Sequence, residues 1–279
     1  MMWLPSLVVV AALLTIAVVM EWRAAARRTV MARRLAQQLE YVLTLIQGVQ
    51  KHRGLSGQSS RTALLQREQL AQQLDRQWSD WPVVIGSVLP AADAAVSWRG
   101  LRAQPTDFNY HCRLIDQLLT ALALLERALL AVRKNARRAA TSESASLELV
   151  MRCREIEDLG RVRGLSVRAA GHAACPIEMA VPLRYLCRRL HGGSLQKADP
   201  AVVMALREIQ QKLLDGARVS ITAERCFELL TPSIDRALDK LRQALPEAGS
   251  STAVTHSEPR APLPSAANFS AAALCAAAD

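Results

Sequence analysis

Two stretches of this chain, 110 residues apart, end in the same four residues, Arg53-Gly54-Leu55-Ser56 and Arg163-Gly164-Leu165-Ser166. Leading into them, Leu39, Leu43, Ile46 and Val49 align at that shift with Leu149, Cys153, Ile156 and Leu159, and Lys51 aligns with Arg161. The identity stops beyond the helix; Asp75, for example, falls on Tyr185. A repeated helix needs a repeated packing partner, so this feature constrains the fold most. Val42, Ile46, Val49 and Arg53 follow at spacings of 4, 3 and 4, the rhythm of one helix face. Ile156, Leu159 and Arg163 repeat the last three. Each arginine therefore continues an apolar stripe and is expected to face the interior, while Lys51 and Arg161 point away. The glycine after each arginine lets a neighbouring helix or a ligand come close, at about 1 kcal/mol in helix propensity.

Two inward guanidiniums pose an electrostatic problem. Burying one without a counter-charge costs several kcal/mol, and two facing each other repel. Something anionic must sit between or beside them. Glu155 and Glu157 are the nearest internal carboxylates in sequence. A small external anion is the other solution, because a guanidinium is a planar fork of donors that stays charged and suits planar, multi-oxygen anions. Internal ion pairs are the commoner arrangement, and periodicity alone leaves both open.

The remainder of the chain points to an all-α class. Ala, Leu, Arg and Gln dominate, aromatic residues make up only 4%, and no alternating run of β-branched residues bounded by turns is found. The spacing predicts helices over 23–58, from a cap at Ser59 or Ser60 to 80, over 107–138, from 142 to 170, and over 176–191, 199–217 and 220–244. Leu114, Leu118, Leu122, Leu125 and Leu129 should form the inner face of the long helix over 107–138. Pro82, Pro90 and Pro105 should cut the intervening stretch into short pieces, and Pro232 should kink or break the last helix. Thr141-Ser142-Glu143-Ser144 reads as a linker between two halves, about 30–138 and 142–245. Residues 246–279, rich in Ser, Thr, Pro and Ala, are expected to be a disordered tail.

Residues 3–20 carry no charge and are about as long as one bilayer crossing. Nothing basic precedes them, whereas Arg23, Arg27, Arg28, Arg33 and Arg34 follow. A cleaved signal peptide has the reverse order of charge, so 1–22 is read as an uncleaved transmembrane anchor with the domain of residues 23–245 in the cytoplasm. The formal net charge of +10 is largely arginine beside Glu and Asp along helices, with few aromatics for base stacking, and nucleic acid is not an expected partner.

Chemistry-bearing patterns are sparse. Cys112, Cys153, Cys175, Cys187, Cys226 and Cys275 show no knuckle or redox spacing and read as buried helical cysteines in a reducing compartment. His52, His111, His172, His191 and His256 have no metal-ligand spacing, and His52, beside Arg53, reads as a solvated helix histidine. No phosphate loop, nucleophile elbow or paired-carboxylate pattern is found. The expectation is a non-enzyme with no catalytic residue, metal or cofactor.

The segment Ile46-Gln47-Gly48-Val49-Gln50-Lys51-His52-Arg53-Gly54-Leu55-Ser56 resembles the first signature helix of the nitrate- and nitrite-sensing (NIT) domain family. Glu157-Asp158-Leu159-Gly160-Arg161-Val162-Arg163 is similar to its second. Residues 221–227 with Thr231, Ile234 and Asp235 resemble its final stretch, and Leu74-Asp75 falls where the family tends to carry an aspartate. The resemblance spans about residues 35–245. It implies two packed up-and-down helical bundles with a nitrate or nitrite pocket between them, and Arg53 and Arg163 as ligand-binding residues. Departures are His52 and Val162 in place of glutamates, Cys226 in place of a Trp, and Ser233 where the last stretch often has Arg. With that arginine missing, Arg225 and Arg236 become the weaker substitute candidates. The family's link to output modules implies signalling, here through a separate output protein, with a homodimer as a further possible assembly. A ligand-free, membrane-tethered helical adaptor is the competing reading.

Overall fold

The computed structural model describes residues 4–85, 91–134 and 143–245, and among them there are helices and no strand. Helix α1 spans Leu4–Leu55, α2 Arg61–Val84, α3 Ala91–Ala103 and α4 Phe108–Lys134. Helix α5 spans Glu143–Ala169, α6 Ile177–Leu190, α7 Ser194–Ala198, and α8 Pro200–Ile209, continued as a π-helical turn over Gln210–Leu214. Helix α9 spans Ala223–Ala244. The tail predicted over 246–279, Cys275 and most of the predicted linker at 141–144 lie outside the described residues.

Helix starts follow side-chain caps. Ser60 Oγ accepts from Ala63 N–H at 3.3 Å and Thr222 Oγ1 from Arg225 N–H at 3.1 Å. Asp107 Oδ1 accepts from Tyr110 N–H at 2.9 Å, and Asp199 Oδ1 from Ala201 N–H at 3.1 Å, ahead of Pro200. Each cap stabilises its helix by about 1 kcal/mol. Two expectations about proline are corrected. Helix α2 runs on through Pro82, where only its last turn remains and a single backbone bond is lost. Helix α9 runs through Pro232 without a break, because Pro232 and Glu228, whose carbonyl loses its donor, both lie on the exposed face where water replaces the bond. The predicted short pieces beyond Pro90 form instead one helix, α3.

Helix α1 packs on α2 and α4, and α4 also on α3; α5 packs on α6 and α9, and α9 also on α8. The two sets meet where α4 and α9 cross to the other set and α1 touches α5 directly. The inner faces are those the periodicity predicts. Leu39, Val42, Leu43, Ile46 and Val49 are buried on α1, and Leu114, Leu118, Leu122, Leu125 and Leu129 on α4. Each buried leucine stabilises the fold by roughly 1.5–3 kcal/mol, so these stripes dominate the packing energy.

Helix α1 enters the core only at Leu35. Ahead of it Leu13, Leu14, Ile16, Val18, Val19, Met20 and Trp22 are exposed. Among the described residues no helix is long and apolar enough to cross a membrane. The predicted anchor lies partly outside them, since Trp3 and the side chains of residues 4–11 are not described.

Candidate functional site

The α1–α5 crossing brings the repeated arginines together. Arg53 and Arg163 are both buried to within 1% of full enclosure, as the spacing predicts. Each is surrounded by equivalent groups. Arg53 lies over the Phe108 ring at 5.3 Å and donates from Nη1 to Cys112 Sγ at 3.3 Å. Arg163 lies over the Phe227 ring at 5.0 Å and donates from Nη1 to Thr231 Oγ1 at 2.9 Å. The glycines are needed for this approach. A Cβ on Gly54 would sit 2.7 Å from the Phe227 ring and 3.2 Å from Arg163 Nε; one on Gly164 would sit 2.8 Å from the Phe108 ring and 3.4 Å from Arg53 Cγ.

The charges are not equivalent. Glu157 takes Arg53 in a two-pronged pair, Nη1 to Oε1 at 2.6 Å and Nη2 to Oε2 at 3.0 Å. Glu157 also accepts from Gln50 Nε2 at 2.8 Å and Arg161 Nε at 2.9 Å, and Arg161 continues to Asp116 Oδ1 at 2.8 Å. Burial pushes the Glu157 carboxyl up, but the Arg53 charge and hydrogen bonds, with Arg161, outweigh it and hold the group below its ordinary value. Arg161 thus turns partly inward, where periodicity placed it pointing away, because Glu157 one turn earlier draws it in. Arg163 has no such partner. Its Nη2 donates to the Gln50 carbonyl at 2.8 Å, and no carboxylate closes on it among the described residues. Desolvation, then repulsion from Arg53, pushes it down to about 10, so it is still a cation at neutral pH. The Nε–H of both arginines is buried without an acceptor among the described residues.

Comparison with family models, curated proteins and solved structures gives no match.

The other predicted residues stand elsewhere. Arg225 and Arg236 are about half exposed on α9 and pair with Glu208 and Asp199 rather than joining Arg53 and Arg163. Ser233 is buried and accepts from Arg236 Nη2 at 3.0 Å. Glu155, the other internal carboxylate considered, accepts from Ser194 Oγ and from Leu195 N–H at the start of α7. The repeated serines turn back on their own helices, Ser56 Oγ to the His52 carbonyl and Ser166 Oγ to the Arg163 carbonyl. Asp75 joins α2 to α3, accepting from Trp98 Nε1 at 2.7 Å with Arg102 alongside.

A histidine chain flanks the arginines. The Asp107 carbonyl can only accept, so His111 Nδ1 donates to it at 2.7 Å, and the free Nε2 of His111 accepts from His52 Nδ1 at 2.8 Å. His52 Nε2 is left without a partner, its ring edge-on to Trp98. Burial, then Arg67 and Arg102, pushes His52 down to about 4; burial likewise pushes His111 to about 2. Both are neutral at physiological pH. This position of His52 corrects the solvated-histidine expectation: it is buried, held by α3 and α4.

Phe108, Cys112 and Asp116 on α4 match Phe227, Thr231 and Asp235 on α9 at spacings of four. Their offset is 119 residues, so a search at the 110-residue shift of the arginine helices passes over them. Among the described residues no three potential metal ligands cluster, and Cys112, Cys153, Cys175, Cys187 and Cys226 are free thiols.

Proposed function

We propose that the chain senses nitrate or nitrite, holding the anion at the Arg53–Arg163 crossing between two helical bundles and relaying occupancy to a separate output protein. The carrying observation is a fully buried Arg163 that no carboxylate contacts among the described residues, with the Nε–H of Arg163 and of Arg53 both lacking an acceptor there. An anion there removes the repulsion between the guanidiniums and satisfies donors that otherwise cost about 1–3 kcal/mol each. Binding shifts the packing of α1 against α5 only as far as the two arrangements differ in affinity. Because α1 continues N-terminally from the crossing, its exposed segment is the natural route to a partner. The apolar run 3–20, followed by Arg23, Arg27 and Arg28, supports membrane attachment with the domain on the cytoplasmic side. Resistance of the full chain to alkaline extraction from membranes is the expected result; release into the soluble fraction refutes the anchor.

Thermal unfolding of the full-length chain tests the ligand. At about 100 times its Kd nitrate contributes about 2.7 kcal/mol, roughly 5–10 °C in Tm for a chain of this size. Arg163→Ala is expected to abolish that rise. A wild-type Tm indifferent to nitrate and nitrite favours the ligand-free adaptor instead.

A further inference from the structure

We infer that the second bundle carries a separate binding site for a small organic monocarboxylate. It is a cleft of about 130 Å³ between α5, α7, α8 and α9, apolar inside and cationic at its mouth. Neither Arg53 nor Arg163 lines it, so it stands or falls independently of the anion at the crossing.

The cleft has a cause in the sequence. At the 119-residue offset that matches α4 with α9, Ile115, Leu119 and Leu122 recur as Ile234, Leu238 and Leu241. Leu114, Leu118 and Ala121 do not recur; their places are taken by Ser233, Ala237 and Lys240. At the 110-residue offset that matches α1 with α5, Ile46 recurs as Ile156, but Val42 gives way to Arg152. Val42, Leu114, Leu118 and Ala121 are all fully buried in the first bundle. Their four counterparts all line the cleft. The second copy has thus lost two leucine side chains from its interior and gained two cations at the edge of the gap. An unfilled gap costs packing energy that grows with its volume, and a ligand body of matching size returns it.

The lining sets the chemistry of the occupant. Ile156, Leu195, Val202 and Leu241 form buried apolar walls. The volume is a little below the roughly 150 Å³ of an apolar cavity that admits benzene, so a body of about six carbons fits with its polar head at the opening. The polar groups of the inner wall are occupied with one another. Arg236 Nη2 donates to Asp199 Oδ2 at 2.7 Å and to Ser233 Oγ at 3.0 Å, and Asp199 Oδ1 accepts from Ala201 N–H. Glu155, nearby on α5, is likewise held by the Ser194 hydroxyl and Leu195 N–H. At the mouth Arg152 and Lys240 are exposed, and Lys240 forms no ion pair with a carboxylate among the described residues. A carboxylate head meets the Lys240 ammonium there while its hydrocarbon body leaves water. A neutral molecule of the same shape gains only the second of these, and a cation is repelled.

Fluorine NMR titration of the full-length chain with 4-fluorobenzoate, and with 4-fluorobenzyl alcohol as its neutral counterpart, tests the site. Wild type should bind the carboxylate saturably, one equivalent per chain, and more tightly than the alcohol. Ala237→Leu, which restores the residue of the first bundle, should fill the cleft, raise the ligand-free Tm and abolish saturable binding. Lys240→Glu, at an exposed position, should weaken the carboxylate about tenfold and leave the alcohol unchanged, because only the head meets residue 240. Nitrate at equal concentration should displace neither. Should Ala237→Leu fail to fold, Lys240→Glu alone carries the test. A wild-type chain without saturable binding, or an unchanged carboxylate affinity in either variant, overturns the site. Displacement by nitrate also overturns it, by placing the carboxylate at the arginine crossing instead.

Discussion

Glu157→Gln is expected to lower the unfolding free energy by about 3–5 kcal/mol, the usual consequence of stripping one partner from a buried ion pair. The size follows from what remains. Arg53 cannot lose its proton, has no exposure to water, and would keep only one neutral amide oxygen, the Cys112 thiol and the Phe108 ring. Two buried guanidiniums would then face each other without an anion. Arg53→Met should cost less, because Glu157 retains Arg161 and Gln50. The order is therefore Glu157→Gln above Arg53→Met, read as midpoints of urea unfolding with unchanged slope. A loss below about 1 kcal/mol for Glu157→Gln would mean that the pair does not hold α1 to α5.

Acidification is the second large effect, and its sign comes from competing groups. The folded pKa values of His52 and His111, about 4 and about 2, lie below the unfolded value near 6.5. Their stabilisation is complete above pH 6.5 and lost as pH falls, because the unfolded chain takes up protons that the folded chain refuses. From pH 7.5 to 5 the two together remove about 4 kcal/mol. Glu126, buried on α4 and pushed up to about 7 by desolvation, works the other way over the same window. Its folded form holds the proton and offsets about 2 kcal/mol. Wild type should lose about 2 kcal/mol between pH 7.5 and 5, and Glu126→Gln about 4. Replacing both histidines should reverse the sign, so that acid stabilises. Stability that does not change with pH in Glu126→Gln would show that the histidine chain is not held neutral.

The helices, their buried stripes and the inward turn of both arginines were legible from spacing, because a side chain's direction on a helix follows from residue count. Proline was a poorer guide. Pro82 and Pro232 mark breaks only when the carbonyl they deprive has no other partner, and that depends on exposure. His52 was misread for a related reason: nothing local says that Trp98 and His111, from α3 and α4, will enclose it.

The Arg-Gly-Leu-Ser pair by itself determined that two cations would meet inside a helical protein and that an anion would be required. Which arginine is satisfied internally was decided by the tertiary structure. Glu155 and Glu157 are two residues apart on one helix, and their directions differ by about 200°, so only the packing selects between them. Glu157 faces α1 and closes on Arg53, while Glu155 caps α7. Gln47, which the repeat aligns with Glu157, is held instead by Asp235 and Arg242 of α9. Charge compensation depends on distances of a few ångströms between segments far apart in the chain, and those distances exist only in the folded state.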